Sequence, residues 1–363
     1  METIINDLTN DLDLSLREAI KLRPTEQLYL LCDNAVRQTA VAQVLSTLPI
    51  ADSHILSLTV NEQHKSLQTV CLIWDFLESN GACRSSLLLI VGGGVLTDMG
   101  GFAAATFKRG IEYVNIPTTL LAMVDAADGG KTGFNYGGLK NEIGLFAFAQ
   151  QTINYVPFLQ TLPYKEFLSG FGEMLKHALI ASPLELARVM GSDIDKLSKN
   201  VSEPLLSELI ARSIEIKRYI IEQDPEEKSL RKTLNFGHTI GHALEEMSFM
   251  QAQQEKQQSP ETMLHGFAVA YGIVAELYLS HIKLSFPQSV LTSVSAFVRE
   301  YWGKPACACS DYDQLLELMR HDKKNASAQQ INFTLLRAVG DYRINQLCTD
   351  NEIKDALDYL MNM

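Results

Sequence analysis

SLLLIVGGGVLTDMGGF, residues 86–102, decides the fold. Six residues dominated by Leu, Ile and Val read as a strand buried on both faces. They run into Gly92–Gly93–Gly94 and then into a helical pattern, which is the strand–turn–helix unit of a parallel sheet. The same alternation extends outward. QLYLLC (27–32) and HILSLT (54–59) read as strands, residues 35–48 and 66–79 as helices, and YVNIP (113–117) as the next strand. The expected fold is an α/β N-terminal domain with a Rossmann-like parallel sheet. The glycine run departs from G-x-G-x-x-G, so the usual dinucleotide fingerprint is missing. Its chemistry is still that of a phosphate cradle: glycines admit close approach, and a helix N-terminus offers free N–H groups.

Beyond residue 163 apolar residues recur at helical spacing over 167–180, 204–222, 234–247 and 266–284, and QINFTLL (330–336) is the one clear strand. We therefore expect a 1–158 α/β domain and a mainly α-helical 159–363 domain, divided within 150–163. The glutamine-rich QAQQEKQQ (251–258) reads as a solvated helix end or loop.

The 363 residues carry 31 Lys+Arg against 43 Asp+Glu, a formal net charge of −12. That balance argues against a nucleic-acid or anionic-membrane partner, so an anionic substrate would need a local cluster of cations. METIINDLTNDLDLSL lacks the apolar core of a secretory signal, and no run is long enough to span a bilayer. A cytoplasmic location is expected. Cys32, Cys71 and Cys83 have apolar neighbours and read as core thiols, while Cys307 and Cys309 are closer than a C-x-x-C pair.

Three distant segments carry a strong metal ligand beside glycine: GFGEMLKHALI with Glu173, LNFGHTIGHALEE with His238, and LHGFAVAYG with His265. One carboxylate and two imidazoles suit a zinc-like ion with a position open for substrate. His238 and His242 are four apart and share a helix face. Spacing alone allows both to bind metal, as in H-E-x-x-H, or one to be a core histidine. In IPTTLLAMVDAADGGKTGFNYGGLKNEIG (116–144), Thr118 and Thr119 lie at a strand end, where parallel sheets bind ligands. Asp125, Lys131, Lys140 and Asn141 follow among six glycines.

In order, GGGVLTD, GFAAATFKRG, PTTLLA, VDAADGGKTG, LKNEIG, GEMLKH, LNFGHTIGHALE and LHG resemble the 3-dehydroquinate synthases, of the sugar-phosphate cyclase superfamily, over roughly residues 85–270. The resemblance implies a homodimeric lyase of the shikimate pathway. It would convert 3-deoxy-arabino-heptulosonate 7-phosphate to 3-dehydroquinate and phosphate with catalytic NAD and a divalent metal, zinc or cobalt. It implies Glu173, His238 and His265 as metal ligands. Asp33, Glu62, Lys65, Gly93, Gly94, Val95, Asp98, Thr118, Thr119, Lys140 and Thr161 match NAD-contacting positions. Asp125, Lys131, Asn141, Lys176, Lys217, Arg231, Asn235, His242 and one of Lys323 or Lys324 match substrate-contacting ones, with His242 assigned to proton handling rather than metal. Arg109 matches an arginine that reaches the substrate phosphate in the neighbouring subunit.

Three residues depart from the family pattern. Asp128 adds a negative charge before GGKTG; facing an anionic substrate at ~4 Å, with an effective dielectric constant of about 20, it would cost ~4 kcal/mol. Phe267 replaces a glutamate after the LHG histidine, which puts a hydrogen bond behind the metal ligands in question. Glu142 replaces an apolar residue. Competing readings are another sugar-phosphate cyclase, a metal-dependent polyol dehydrogenase of the same architecture, and a ligand-binding protein that has lost catalysis.

Overall fold

The computed structural model describes residues 6–137, 139–254, 262–320 and 331–363. The chain forms two compact units, Met1–Pro163 with Asp195–Arg218, and Tyr164–Ile194 with Tyr219–Met363.

The first unit holds strands β1 (Asn6–Leu8), β2 (Leu28–Asp33), β3 (Ile55–Leu58), β4 (Leu87–Gly92), β5 (Glu112–Pro117), β6 (Lys131–Tyr136), β7 (Leu139–Phe146) and β8 (Gln151–Asn154). Its helices are α1 (Leu12–Ile20), α2 (Ala40–Thr47), α3 (Leu67–Ser79) and α4 (Gly94–Thr106). Six strands form one parallel sheet in the order β1-β8-β5-β4-β2-β3. Every residue of β4 is buried, which explains its unbroken apolar run. Tyr29, Leu31, Leu88 and Ile90 pack beneath Val70, Ile73 and Leu77 of α3 and Leu96, Met99 and Ala103 of α4. All six strands end at one edge of the sheet. Strand order reverses between β2 and β4, so Asp33 and the glycine turn flank the switch point where such sheets bind ligands.

The glycine-rich stretch after Asp128, where no strand was expected, forms the antiparallel hairpin β6–β7, with Lys131 opposite Phe146 and Gly133 opposite Gly144. The helix expected from residue 35 starts at Ala40, after a 3-10 turn at Asn34–Val36.

The remaining helices are α5 (Tyr164–Ala181), α6 (Pro183–Met190), α7 (Ile194–Lys199), α8 (Pro204–Gln223), α9 (His238–Gln254), α10 (His265–Leu284), α11 (Gln288–Trp302), α12 (Tyr312–Arg320) and α13 (Asp350–Asn362). The hairpin β9 (Ile331–Ala338)–β10 (Asp341–Cys348) completes the second unit. Asp195–Arg218, assigned from sequence to the 159–363 domain, groups with the first unit. There Lys217 bonds the Asp125–Asp128 turn, and Val201 and Ser202 line a groove with Thr39, Pro157 and Thr161. Among the described residues α10 alone is long and apolar enough to cross a membrane, and two-thirds of that stretch (67%) is buried within the fold. Cys32 is a core thiol, but Cys71 and Cys83 are exposed. Helical period puts Val70 and Ile73 of α3 inward and Cys71 outward.

Candidate active site

In the second unit, α5, α9 and α10 meet backbone to backbone. A Cβ on Gly266 would collide with the Ser169 carbonyl of α5, and one on Gly272 with the Gly237 carbonyl just before α9. Glycine is required there by the close approach. The approach brings Glu173 of α5 together with His238 and His265, the first residues of α9 and α10.

Glu173 is fully buried and ion-paired with Lys176, itself 1% exposed. Glu173 Oε1 lies 3.4 Å from His238 Nε2 and 3.2 Å from His265 Nε2. A tetrahedral ion with bonds of 2.0–2.1 Å would separate its ligand atoms by about 3.3 Å, so these spacings fit a metal. Lys176 claims Oε2, while Oε1 faces both imidazoles without a well-aligned hydrogen bond and is the Glu173 oxygen suited to a cation. Burial alone would raise the Glu173 pKa, but Lys176 and then His238 hold it well below the usual carboxylate range. Burial, reinforced by Lys176, drops His238 to about 3 and keeps its imidazole neutral. His265 goes the other way: burial would lower it, yet Glu245 and Glu173 together raise it to about 10.

Two carboxylates near these ligands were not legible in the sequence. Glu276 of α10, fully buried, accepts the backbone N–H of Gly237 at 2.6 Å, Thr239 at 3.0 Å and Ile240 at 3.2 Å, and so caps α9 at His238. A glutamate inside the apolar GFAVAYGIVAELYL run was the available signal. Glu245 of α9 meets His265 Nδ1 at 3.1 Å. Glu245, on another helix, thus gives His265 a carboxylate partner that does not depend on position 267.

His242 follows on α9, its ring 5.1 Å from that of His238 and 5.8 Å from that of His265. Arg231 is 2% exposed and donates Nη1 to the Pro225 carbonyl at 2.7 Å. Its loop is folded around Asp224, whose carboxylate accepts the N–H of Lys228 at 2.9 Å, Ser229 at 2.6 Å and Arg231 at 3.0 Å. Asn235 donates to Glu227 at 2.7 Å. Lys323 and Lys324 lie outside the described residues.

In the first unit, Asp33, Gly93, Gly94, Val95, Thr118 and Thr119 gather at the strand-end edge. Gly93 precedes α4, and no side chain caps that helix. A Cβ on Gly93 would sit 3.1 Å from the Thr119 methyl, so glycine keeps the cradle open. Uncapped N–H groups over a glycine turn fit a dinucleotide pyrophosphate. Lys65, 5% exposed, donates at 2.5 Å to both Asp98 and Asn141, while Asn135 of β6 donates at 2.8 Å to Glu62. Burial raises the Asp98 pKa against the pull of Lys65. Lys140 is half-buried on β7, and Thr161 is exposed at the end of a 3-10 turn.

Lys217 donates to the carbonyls of Asp125 and, at 2.9 Å, Asp128, and pairs with the Asp125 carboxylate at 2.8 Å. It ties the turn that leads into Lys131. Asp128 is buried, with its carboxylate 3.0 Å from the Gly129 N–H. Arg109 is exposed on a turn where Lys108 and Arg109 both have positive φ, 49° and 69°, a backbone conformation that non-glycine residues adopt at a cost.

Residues 55–169 match the family model "3-dehydroquinate synthase N-terminal" and residues 170–325 match "3-dehydroquinate synthase C-terminal". A 3-dehydroquinate synthase from Parabacteroides distasonis is 44% identical over 97% of this chain and 96% of its own length. ValA, a 2-epi-5-epi-valiolone synthase from Streptomyces hygroscopicus solved with NAD+ and Zn2+, superposes with a TM-score of 0.82 at 25% identity. That superposition covers 100% of this chain and 98% of that one. A 2-deoxy-scyllo-inosose synthase shares the fold at TM-score 0.77 and 22% identity, over 94% and 93% of the two chains. The chain belongs to the 3-dehydroquinate synthase family.

Proposed function

We propose that this chain converts 3-deoxy-arabino-heptulosonate 7-phosphate to 3-dehydroquinate and phosphate, with NAD returned unchanged and one zinc or cobalt ion. The observation that carries the reading is the convergence of Glu173, His238 and His265 at metal-ligand spacing, in a chain aligned along nearly its whole length with a 3-dehydroquinate synthase. The NAD+ and Zn2+ in the valiolone synthase support the cofactor pair.

Glu173, His238 and His265 would hold the metal. Asp33, Glu62, Lys65, Gly93, Gly94, Val95, Asp98, Thr118, Thr119, Lys140 and Thr161 would hold the dinucleotide. When bound, the metal supplies Lewis acidity to a substrate hydroxyl and NAD a reversible hydride acceptor. Lys176 keeps Glu173 ionised. His242, beside His238, takes and returns the proton of a substrate hydroxyl. Arg231, fixed through Pro225, presents a planar guanidinium suited to bidentate grip of a carboxylate or phosphate, and Lys131 and one of Lys323 or Lys324 add point charges. Asp125, Asn141 and Asn235 orient hydroxyls. Lys217 fixes the Asp125–Asp128 turn and reaches substrate from it. Arg109, on its strained and exposed turn, serves the neighbouring subunit of a cytoplasmic homodimer.

The test supplies the heptulosonate phosphate, NAD and Zn2+ and follows released phosphate and NADH together. Phosphate release with no accumulating NADH is expected. Steady NADH production from simple polyols would instead make the protein a dehydrogenase, and cofactor binding without turnover would leave it a binding protein.

A further inference from the structure

We infer that Glu245 is a positioning residue that selects which nitrogen of His265 faces the metal pocket; the inference rests on the reading of Glu173, His238 and His265 as ligands. His265 lies between two carboxylates, with Nε2 3.2 Å from Glu173 Oε1 and Nδ1 3.1 Å from Glu245 Oε2. A neutral imidazole has one N–H and one lone pair, so its tautomer decides which nitrogen can bind a metal. An ionised carboxylate only accepts. Glu245 therefore places the hydrogen on Nδ1 and turns the Nε2 lone pair toward the point shared by Glu173 and His238 Nε2. His238 is oriented by a weaker acceptor, the Phe236 carbonyl, 3.2 Å from its Nδ1. Glu245 follows His238 by seven residues, two turns along the same face of α9. One helix thus supplies a ligand at its start and, further on, the group that orients the ligand opening α10. Partners of this kind raise ligand basicity and typically govern 10–100-fold in metal affinity.

The experiment measures Zn2+ affinity of the full-length chain by chelator competition, and the Co2+ absorption spectrum, for wild type, Glu245→Ala and Glu245→Gln. Alanine should weaken Zn2+ about 10–100-fold and alter the Co2+ bands. Glutamine, isosteric and still able to accept from Nδ1–H, should lose less; it also stands in if the alanine variant does not fold. The unfolding midpoint of the metal-free proteins separates orientation from general stability, which the glutamine variant should retain. Wild-type affinity in both variants would overturn the inference alone. So would a second Zn2+ per chain lost on mutation, since His242, Glu245 and His265 would then be ligands of another ion. A wild-type chain that takes up no Zn2+ would remove the metal centre and this inference with it.

Discussion

Glu276 accepts the backbone N–H of Gly237 at 2.6 Å, so a carboxylate buried in α10 fixes the start of α9 where His238 projects. Two further N–H groups, from Thr239 and Ile240, share the same side chain. Glu276→Gln keeps the size but offers one acceptor and turns an NH2 toward those donors. We expect ~2–4 kcal/mol lower unfolding free energy, since hydrogen bonds to a charged group are worth about 1.5–3 kcal/mol each and the donors left behind are buried. Urea unfolding checks this as a lower midpoint at unchanged slope. An unchanged midpoint would show that the cap contributes nothing.

Gly266→Ala tests the helix crossing. Its Cβ would strike the Ser169 carbonyl, which is backbone and cannot turn aside. A loss of about 3 kcal/mol or more is expected, at the upper end of overpacking. Zinc content should fall as well, because Glu173 and His265 sit on the two helices forced apart. Calorimetry with metal analysis reads both, and a variant of native stability and zinc content would remove the close-approach argument.

Lys217→Met removes the three contacts that tie the Asp125–Asp128 turn. The Asp125 carboxylate is partly exposed, so the stability loss should fall below the ~3–5 kcal/mol of a fully buried pair. The larger effect should be on turnover: kcat/KM for the heptulosonate phosphate should drop at least ~100-fold, about 2.7 kcal/mol of transition-state stabilisation. Steady-state kinetics at saturating NAD decide; wild-type kcat/KM would make Lys217 a bystander.

Asp224 links acid stability to the Arg231 loop. Burial would raise its pKa, but the N–H groups of Ser229, Lys228 and Arg231 lower it from the ordinary 3.8. A depressed folded-state pKa gives stability that is complete above the unfolded value and lost as pH falls through the folded one. Wild type should therefore exceed Asp224→Asn in stability at pH 6, with the gap closing only below the ordinary aspartate value. Denaturation midpoints across that range provide the check, and a gap independent of pH would contradict the assignment.

The central strands were legible because β4 is buried on both faces and reads as one apolar run. β1 (NDL) and β8 (QTIN) were not, since each is short and mostly polar, whereas the equally short β3 (ILSL) is mostly apolar. The β6–β7 hairpin resembled a loop because Gly133 and Gly144 face each other where a Cβ on either would meet the partner strand's backbone. The residues that demand glycine for pairing are those that suggest a turn in one dimension. Glu173, His238 and His265 stood out in the sequence because each sits beside a glycine at which two backbones approach closely. Glu245 and Glu276 act only through another helix, so nothing local marked them as partners of His265 and Gly237. Cys71 was misplaced because apolar neighbours in sequence say less than helical phase.

The most direct test strips the protein with a chelator and titrates Zn2+ back while measuring bound metal and phosphate release together. Activity should return in proportion to one Zn2+ per chain, and His265→Ala should recover neither metal nor turnover. Full activity in the stripped protein, or in His265→Ala, would contradict the account.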